Sequence, residues 1–223
     1  MTLSSPFDTK APGCHGTMIC SRSKAAAASR LLDAAAAEFI SKGFDAALVD
    51  NIARNAGISK KTIYRCIASK EELFAAVVEA LFATVAVAPI HAQDGQRPVA
   101  DRLRELLRAF ARLAFSRDGI GAYRLVLTEA ARFPAIGRAY IDALGHHWKA
   151  ALTSCLQQAA ATGTIRLADP ATASALLIAM VLAEPMRDAA LGLIDPPGGE
   201  QVDRMIDVAL ALFFDGCRIT RPR

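Results

Sequence analysis

Asn51-Ile52-Ala53-Arg54-Asn55-Ala56-Gly57-Ile58-Ser59-Lys60-Lys61-Thr62-Ile63-Tyr64-Arg65 reads as two short helices joined by a tight turn. Leu48, Val49, Ile52, Ala53 and Ala56 recur at helical spacing and define one apolar face. Gly57 follows at once, and glycine closes a helix in the left-handed conformation without strain. Ser59 is a good N-cap for the next helix, because its hydroxyl accepts from an otherwise orphan backbone N–H. Ile58, Ile63 and Ile67 point inward, leaving Lys60, Lys61, Thr62, Tyr64 and Arg65 for the outer faces. A short cationic, hydroxyl-rich helix after a tight turn suits the major groove of DNA, where such side chains meet phosphates and base edges.

The flanks extend the pattern. Upstream, Leu31, Leu32, Ala35, Phe39 and Ile40 form an amphipathic helix that Gly43 ends. Downstream, Ser69 and Glu72 make an S-x-x-E capping box ahead of Leu73, Phe74, Val77, Val78, Leu81 and Phe82. Three helices are therefore expected over residues 22–68, and a longer fourth leads away.

Ala35 to Phe39, Gly43-Phe44, Ile52-Ala53, Ala56-Gly57-Ile58-Ser59-Lys60, Thr62-Ile63-Tyr64 and Ser69-Lys70-Glu71-Glu72-Leu73 together resemble the signature of the tetracycline-repressor (TetR) family. The resemblance implies an all-α dimeric repressor: an N-terminal three-helix helix-turn-helix domain followed by a C-terminal helical domain for ligand binding and dimerisation. Two dipeptides depart from the family pattern. Ala47-Leu48 replace a Thr and a Ser or Thr, removing the usual N-cap of the first motif helix, a loss of about 1 kcal/mol. Cys66-Ile67 replace His-Phe, a change in packing volume rather than in DNA reading.

Charge follows the same division. Within 223 residues carrying +4 overall, residues 21–70 hold +5 and residues 71–223 hold −1. Positive charge thus collects on the segment expected to displace counterions from phosphates. The chain is 53% hydrophobic with mean hydropathy +0.27, enough for a large core. Five cysteines, at 14, 20, 66, 155 and 217, show no CxxC spacing and are odd in number, which argues against a disulfide framework or zinc site and for a reducing cytoplasm. The longest uncharged apolar stretch, Pro170 to Ala183, is too short for a bilayer. Residues 1–21 read as a disordered arm, 22–68 as the DNA-binding domain and 69–223 as the C-terminal domain.

In that domain the fourth helix is expected to reach Ala88 and stop at Pro89, with a polar loop over His91 to Pro98. Val99 to Phe115 carries Leu103, Leu106, Leu107, Phe110 and Leu113 inward and Arg102, Arg104, Arg108 and Arg112 outward. Asp118 starts a shorter helix that ends near Phe133-Pro134. A long helix from Ala135 to Ala161 follows, with Ile141, Leu144, Trp148, Leu152 and Leu156 on one face, until Gly163 breaks it. Asp169-Pro170 opens another, striped by Ala171, Ala175, Ala179 and Ala183 and kinked or ended by Pro185. Glu200 to Cys217 forms the last. Glu129 to Pro134 and Gly163 to Pro170 also look like the C-terminal domain of one branch of the family. In the family the final two helices form a four-helix interface between subunits, which sets two recognition helices into successive major grooves of a palindromic operator.

The DNA contacts expected are Lys60, Lys61, Thr62 and Tyr64, supported by Arg65 and Lys70. For a small-molecule effector the family implies a cavity in the C-terminal domain, for which Phe82, Phe110, Leu113, Tyr123, Leu127, Trp148 and Met180 are candidates beside an ordinary core role. An apolar lining suits a hydrophobic or aromatic compound. His146 and His147 are neighbours on a helix and point about 100° apart, so they do not converge on a metal. Cys66, beside Lys70, is either an oxidation switch or a buried inert thiol. No triad, phosphate loop or carboxylate pair stands out, so neither an enzyme nor a cofactor is implied. The rival reading is a helical ligand-binding protein without specific DNA binding, suggested by Ala47, Leu48 and Cys66.

Overall fold

The computed structural model describes residues 19–83 and 97–216, with side chains from residue 26 onward. The expected N-terminal arm up to residue 18, the stop at Pro89, most of the loop over 91–98, and Cys14 and Cys217 lie outside the described residues, and of Cys20 only the backbone is described, within a helix. Every regular element described is helical, with no strand among them.

Helix α1 spans Ile19–Ala46, broken at Gly43, whose φ of 78° and ψ of 167° are not helical. Helices α2 (Val49–Ala56) and α3 (Lys60–Cys66) enclose the turn, and α4 covers Lys70–Ala83. Then come α5 (Val99–Ala114), α6 (Arg117–Glu129) and α7 (Pro134–Leu144), a π-helical turn over Gly145–Lys149, and α8 (Ala150–Ala161). Helices α9 (Pro170–Leu191) and α10 (Gly199–Gly216) complete the chain.

Two compact units result. The first takes the described residues up to Ala80 together with Leu125–Ala139; the second takes Leu81–Arg124 and Tyr140 onward. The first is built around four rings: Phe39 and Phe44 stack at 5.6 Å, Phe74 meets both edge-on, and Phe133 packs on Phe44 at 4.9 Å. In the second, Leu103, Leu106 and Leu107 of α5 pack with Leu152 and Leu156 of α8, Leu177 and Val181 of α9 and Ile206 of α10, all at 1% exposure or less. Two ion pairs join α5 to α10 within this unit, Arg104–Asp207 and Arg108–Asp203, both at 2.6 Å.

Several expectations are corrected. Leu48 is 57% exposed instead of sharing the apolar face of α2. Arg102, expected outside, is 7% exposed and donates from Nη2 to Gln158 at 2.8 Å. Ser116, not Asp118, caps α6: its hydroxyl accepts from Gly119 N–H at 3.0 Å. Pro185 does not end α9, which runs on to Leu191 and closes at Gly192 (φ 74°), because Met186, Ala189 and Ala190 are buried beyond the missing N–H. Cys66 is exposed rather than a buried thiol.

The long helix of the 135–161 region departs most from expectation. Its backbone widens to a π turn at Gly145–Lys149, which takes up an additional residue. The inward face upstream of that turn is therefore Ile136, Tyr140 and Ala143, while Ile141 is 61% exposed.

Candidate DNA interface and effector site

The turn is held by local chemistry. Gly57 adopts φ 67°, ψ 33°, and its N–H and that of Ile58 return to the carbonyls of Arg54 and Ala53. Ser59 Oγ accepts from Thr62 N–H at 3.1 Å and lies 2.8 Å from Thr62 Oγ1, so the start of α3 is tied twice. Ile63 and Ile67 are buried, and this fixes the rotation of the helix. Lys60, Lys61, Tyr64 and Arg65 then emerge on the exposed side, with Thr62 half-buried at its margin. Behind α3, Ser69 Oγ accepts from Glu72 N–H at 3.1 Å, and Glu72 Oε2 reaches back to Ala68 N–H at 2.7 Å.

Two of these cations are already engaged. Lys60 Nζ lies 2.9 Å from Asp50 Oδ1 on α2, and this hydrogen-bonded carboxylate raises the lysine above its ordinary pKa. Lys70 donates to the carbonyls of Asp45 (2.9 Å) and Ala47 (3.3 Å), with its ammonium 4.8 Å from the centre of the Phe44 ring. It clamps the segment that leads into α2, whereas Lys61, Tyr64 and Arg65 extend from α3.

Sequence reasoning missed Glu38. Leu48 stands at the N-cap of α2 with no side-chain bond of its own. The carboxylate of Glu38, on α1 and only 7% exposed, accepts instead from Leu48 N–H at 3.3 Å and from Asn51 Nδ2 at 3.0 Å. Asn51 Oδ1 in turn accepts from Arg54 Nη2. The Asn51 bond holds the Glu38 carboxyl below the usual carboxylate range, against the opposing effect of burial. With the Ser or Thr bond to the first-turn N–H groups of α2 unmade, a buried acid ten residues upstream thus ties the start of α2 to α1. Its one sequence signal was a charge on an otherwise apolar face of α1.

Among the candidate effector residues, four come together in the second unit. Phe110 stacks on Trp148 at 5.0 Å and 14°, Phe82 lies 6.5 Å from Phe110, and Tyr123 is linked to Phe82 through Tyr140, at 6.3 Å and 5.3 Å. Tyr140 was not anticipated, since the π turn sets its register; burial pushes its phenol further above the ordinary tyrosine pKa. Leu113 is buried on the same helix as Phe110. Leu127 and Met180 do not join the cluster: they are 56% and 45% exposed, and Leu127 falls in the first unit. His146 is exposed and His147 half-buried, and among the described residues no group of His, Cys, Asp and Glu is arranged to hold a metal. Nor is any described helix long and apolar enough to cross a membrane.

Comparison with known proteins accords with this geometry. Residues 31–77 match the model for bacterial regulatory proteins of the tetR family, and residues 101–216 match the C-terminal domain of AefR-like transcriptional repressors. A protein from Mesorhizobium loti assigned to the TetR-family transcriptional regulators is 27% identical, with a TM-score of 0.76 over 87% of this chain and 98% of that one. The flavonoid-responsive regulator FrrA is 26% identical, with a TM-score of 0.68 over the same shares. A TetR-family regulator from Pseudomonas syringae, 22% identical, shares the fold with a TM-score of 0.67 over 84% of this chain and 94% of that one. No curated protein sequence matches the chain. A helix-turn-helix motif with its cationic helix exposed, a helical second unit and matches to both domain models over most of the length lead to one assignment: the chain belongs to the TetR family of transcriptional regulators.

Proposed function

We propose that this regulator is a homodimeric repressor that binds a palindromic operator in the cytoplasm and leaves it when a small hydrophobic or aromatic compound enters its C-terminal domain. The observation that carries the reading is the outer side of α3, where Lys60, Lys61, Tyr64 and Arg65 are exposed above buried Ile63. Lys60, Lys61, Thr62, Tyr64 and Arg65 contact phosphates and base edges, and Lys70 supports them by fixing the entry to α2.

Self-association through α9 and α10 is favoured by their outward face. Leu176, Met180, Val208 and Leu212 are 45–62% exposed, and Ala171, Ala179 and Ala183 are exposed beside them. Met180, Met205, Val208 and Leu212 line an open, mainly apolar groove of about 400 Å³. An exposed face this rich in apolar side chains, with only Gln201 and Arg204 polar in the groove, favours an association surface. Met180 therefore belongs to this reading, not to an effector cavity. The aromatic cluster of Phe82, Phe110, Tyr123, Tyr140 and Trp148 supports an aromatic effector, as does the flavonoid response of FrrA, a relative at 26% identity. The rival role, a ligand-binding protein without specific DNA binding, is weakened at Leu48, because Glu38 holds the start of α2 against α1 through Leu48 N–H and Asn51 even without the usual cap.

Gel-shift titration of the purified protein on the promoters of its neighbouring genes tests the reading. Lys60→Ala and Tyr64→Phe weaken operator binding while the dimer persists in gel filtration. Unchanged affinity in both variants would remove the site assignment.

A further inference from the structure

Trp148, the chain's one tryptophan, sits on the π-helical turn and is 0% exposed. Among the described residues its Nε1 has no hydrogen-bond partner. Buried tryptophans ordinarily find one, since an unmet donor forfeits its solvation with nothing in return. Phe110 cannot serve: the two rings lie nearly parallel, 14° apart, so the indole turns its face rather than its N–H edge to that ring. Indole Nε1 donates and never accepts. Only an acceptor satisfies it.

A second irregularity falls on the same residues. The backbone carries a π turn at Gly145–Lys149, a rare geometry that gathers at functional sites. It sets Trp148 inward with Tyr140 on the same side, so that Phe82, Phe110, Tyr123, Tyr140 and Trp148 form one run of rings. The five rings bear no formal charge. Burying an ionised ligand among uncharged rings is costly, whereas a neutral planar compound meets apolar aromatic surface.

We infer that Trp148 Nε1 is the specificity-determining donor of the effector site, selecting neutral aromatic compounds that carry a carbonyl oxygen. This rests on the reading of the ring cluster as the effector site. The hydrogen bond joins the indole N–H to the carbonyl oxygen, and the neighbouring rings stack on the rest of the compound.

Flavone, with a ring carbonyl, and flavan, the same skeleton without it, are the probes. With a single tryptophan, the full-length protein gives one indole N–H resonance in a nitrogen–proton correlation spectrum. Flavone moves that proton downfield on binding, and flavan does not. Trp148→Phe lowers flavone affinity about tenfold and flavan affinity by less than about twofold, by equilibrium dialysis. If the variant does not fold, the wild-type resonance and the flavone-to-flavan affinity ratio carry the test alone. Equal binding of the two compounds, or an unmoved indole proton with flavone bound, overturns the assignment of Trp148 and leaves the aromatic-effector reading standing. Failure of both compounds to bind overturns that reading and this inference with it. A purely packing role for Trp148 would lower thermal stability without separating the two probes.

Discussion

Lys60 must give up or share Asp50 to meet a phosphate, because the two are 2.9 Å apart across α2 and α3. The pair is half-exposed, so solvent and salt screen it and breaking it costs little. Asp50→Asn therefore raises operator affinity by up to about fivefold in fluorescence anisotropy, with a small fall in melting temperature as the pair is lost. Lys61→Ala lowers the slope of log affinity against log salt by about 1, and does so equally on operator and random duplex if it touches phosphate alone. Glu38 governs the same surface from behind. Glu38→Ala leaves Leu48 N–H and the Asn51 amide without their acceptor and costs about 1–3 kcal/mol in urea unfolding. Leu48→Ser in that background restores about 1 kcal/mol by capping α2 from its own side chain. The sign of the pH effect follows from the lowered native pKa. The carboxylate's share of stability is complete above its unfolded value of about 4.3 and disappears as pH falls through the lower native one. The stability gap between wild type and Glu38→Gln accordingly narrows on acidification through that range.

At the scale of elements, the π turn has a direct consequence. Ile141→Asp, on the solvent side of α7, changes stability by less than about 0.5 kcal/mol. Leu152→Ala, one of the fully buried positions of α8, costs about 2–5 kcal/mol in the same denaturation assay. A regular helix would have made both positions core. The same contrast marks what could be read from sequence. The helix-turn-helix was legible because its determinants are local: the αL glycine at 57, the cap at Ser59 and the box of Ser69 with Glu72 all act within four residues. The inward leucines of α5 were legible from their spacing alone. Glu38 was not, since its bonds span ten and thirteen residues and form only when α1 folds back on α2. Tyr140 was missed because a 3.6-residue period continued backward from Trp148 points to Ile141, and no stripe announces an inserted residue. Leu127 and Met180 match the ring cluster in hydrophobicity but are exposed; hydrophobicity does not say which surface an apolar side chain covers.

For the whole molecule, a recognition helix of seven residues gains its selectivity by being paired with a second one at fixed separation. In the proposed dimer the outward apolar face of α9 and α10 is where that pairing forms. Leu176→Arg with Leu212→Arg puts cations into the apolar face, yields a monomer by sedimentation velocity and lowers operator affinity by at least about tenfold. Folding of each chain survives, because neither leucine packs inside it. Release by an effector then needs a compound that binds one arrangement of the dimer better than the other, since equal affinity for both shifts nothing.

Selection from a random duplex pool by the full-length protein, without effector and at modest ionic strength, decides whether paired recognition helices read DNA. An inverted repeat is enriched, with half-sites about one helical turn, 34–36 Å, apart, and Lys60→Ala abolishes the enrichment. Recovery of no sequence above the random background would contradict that reading.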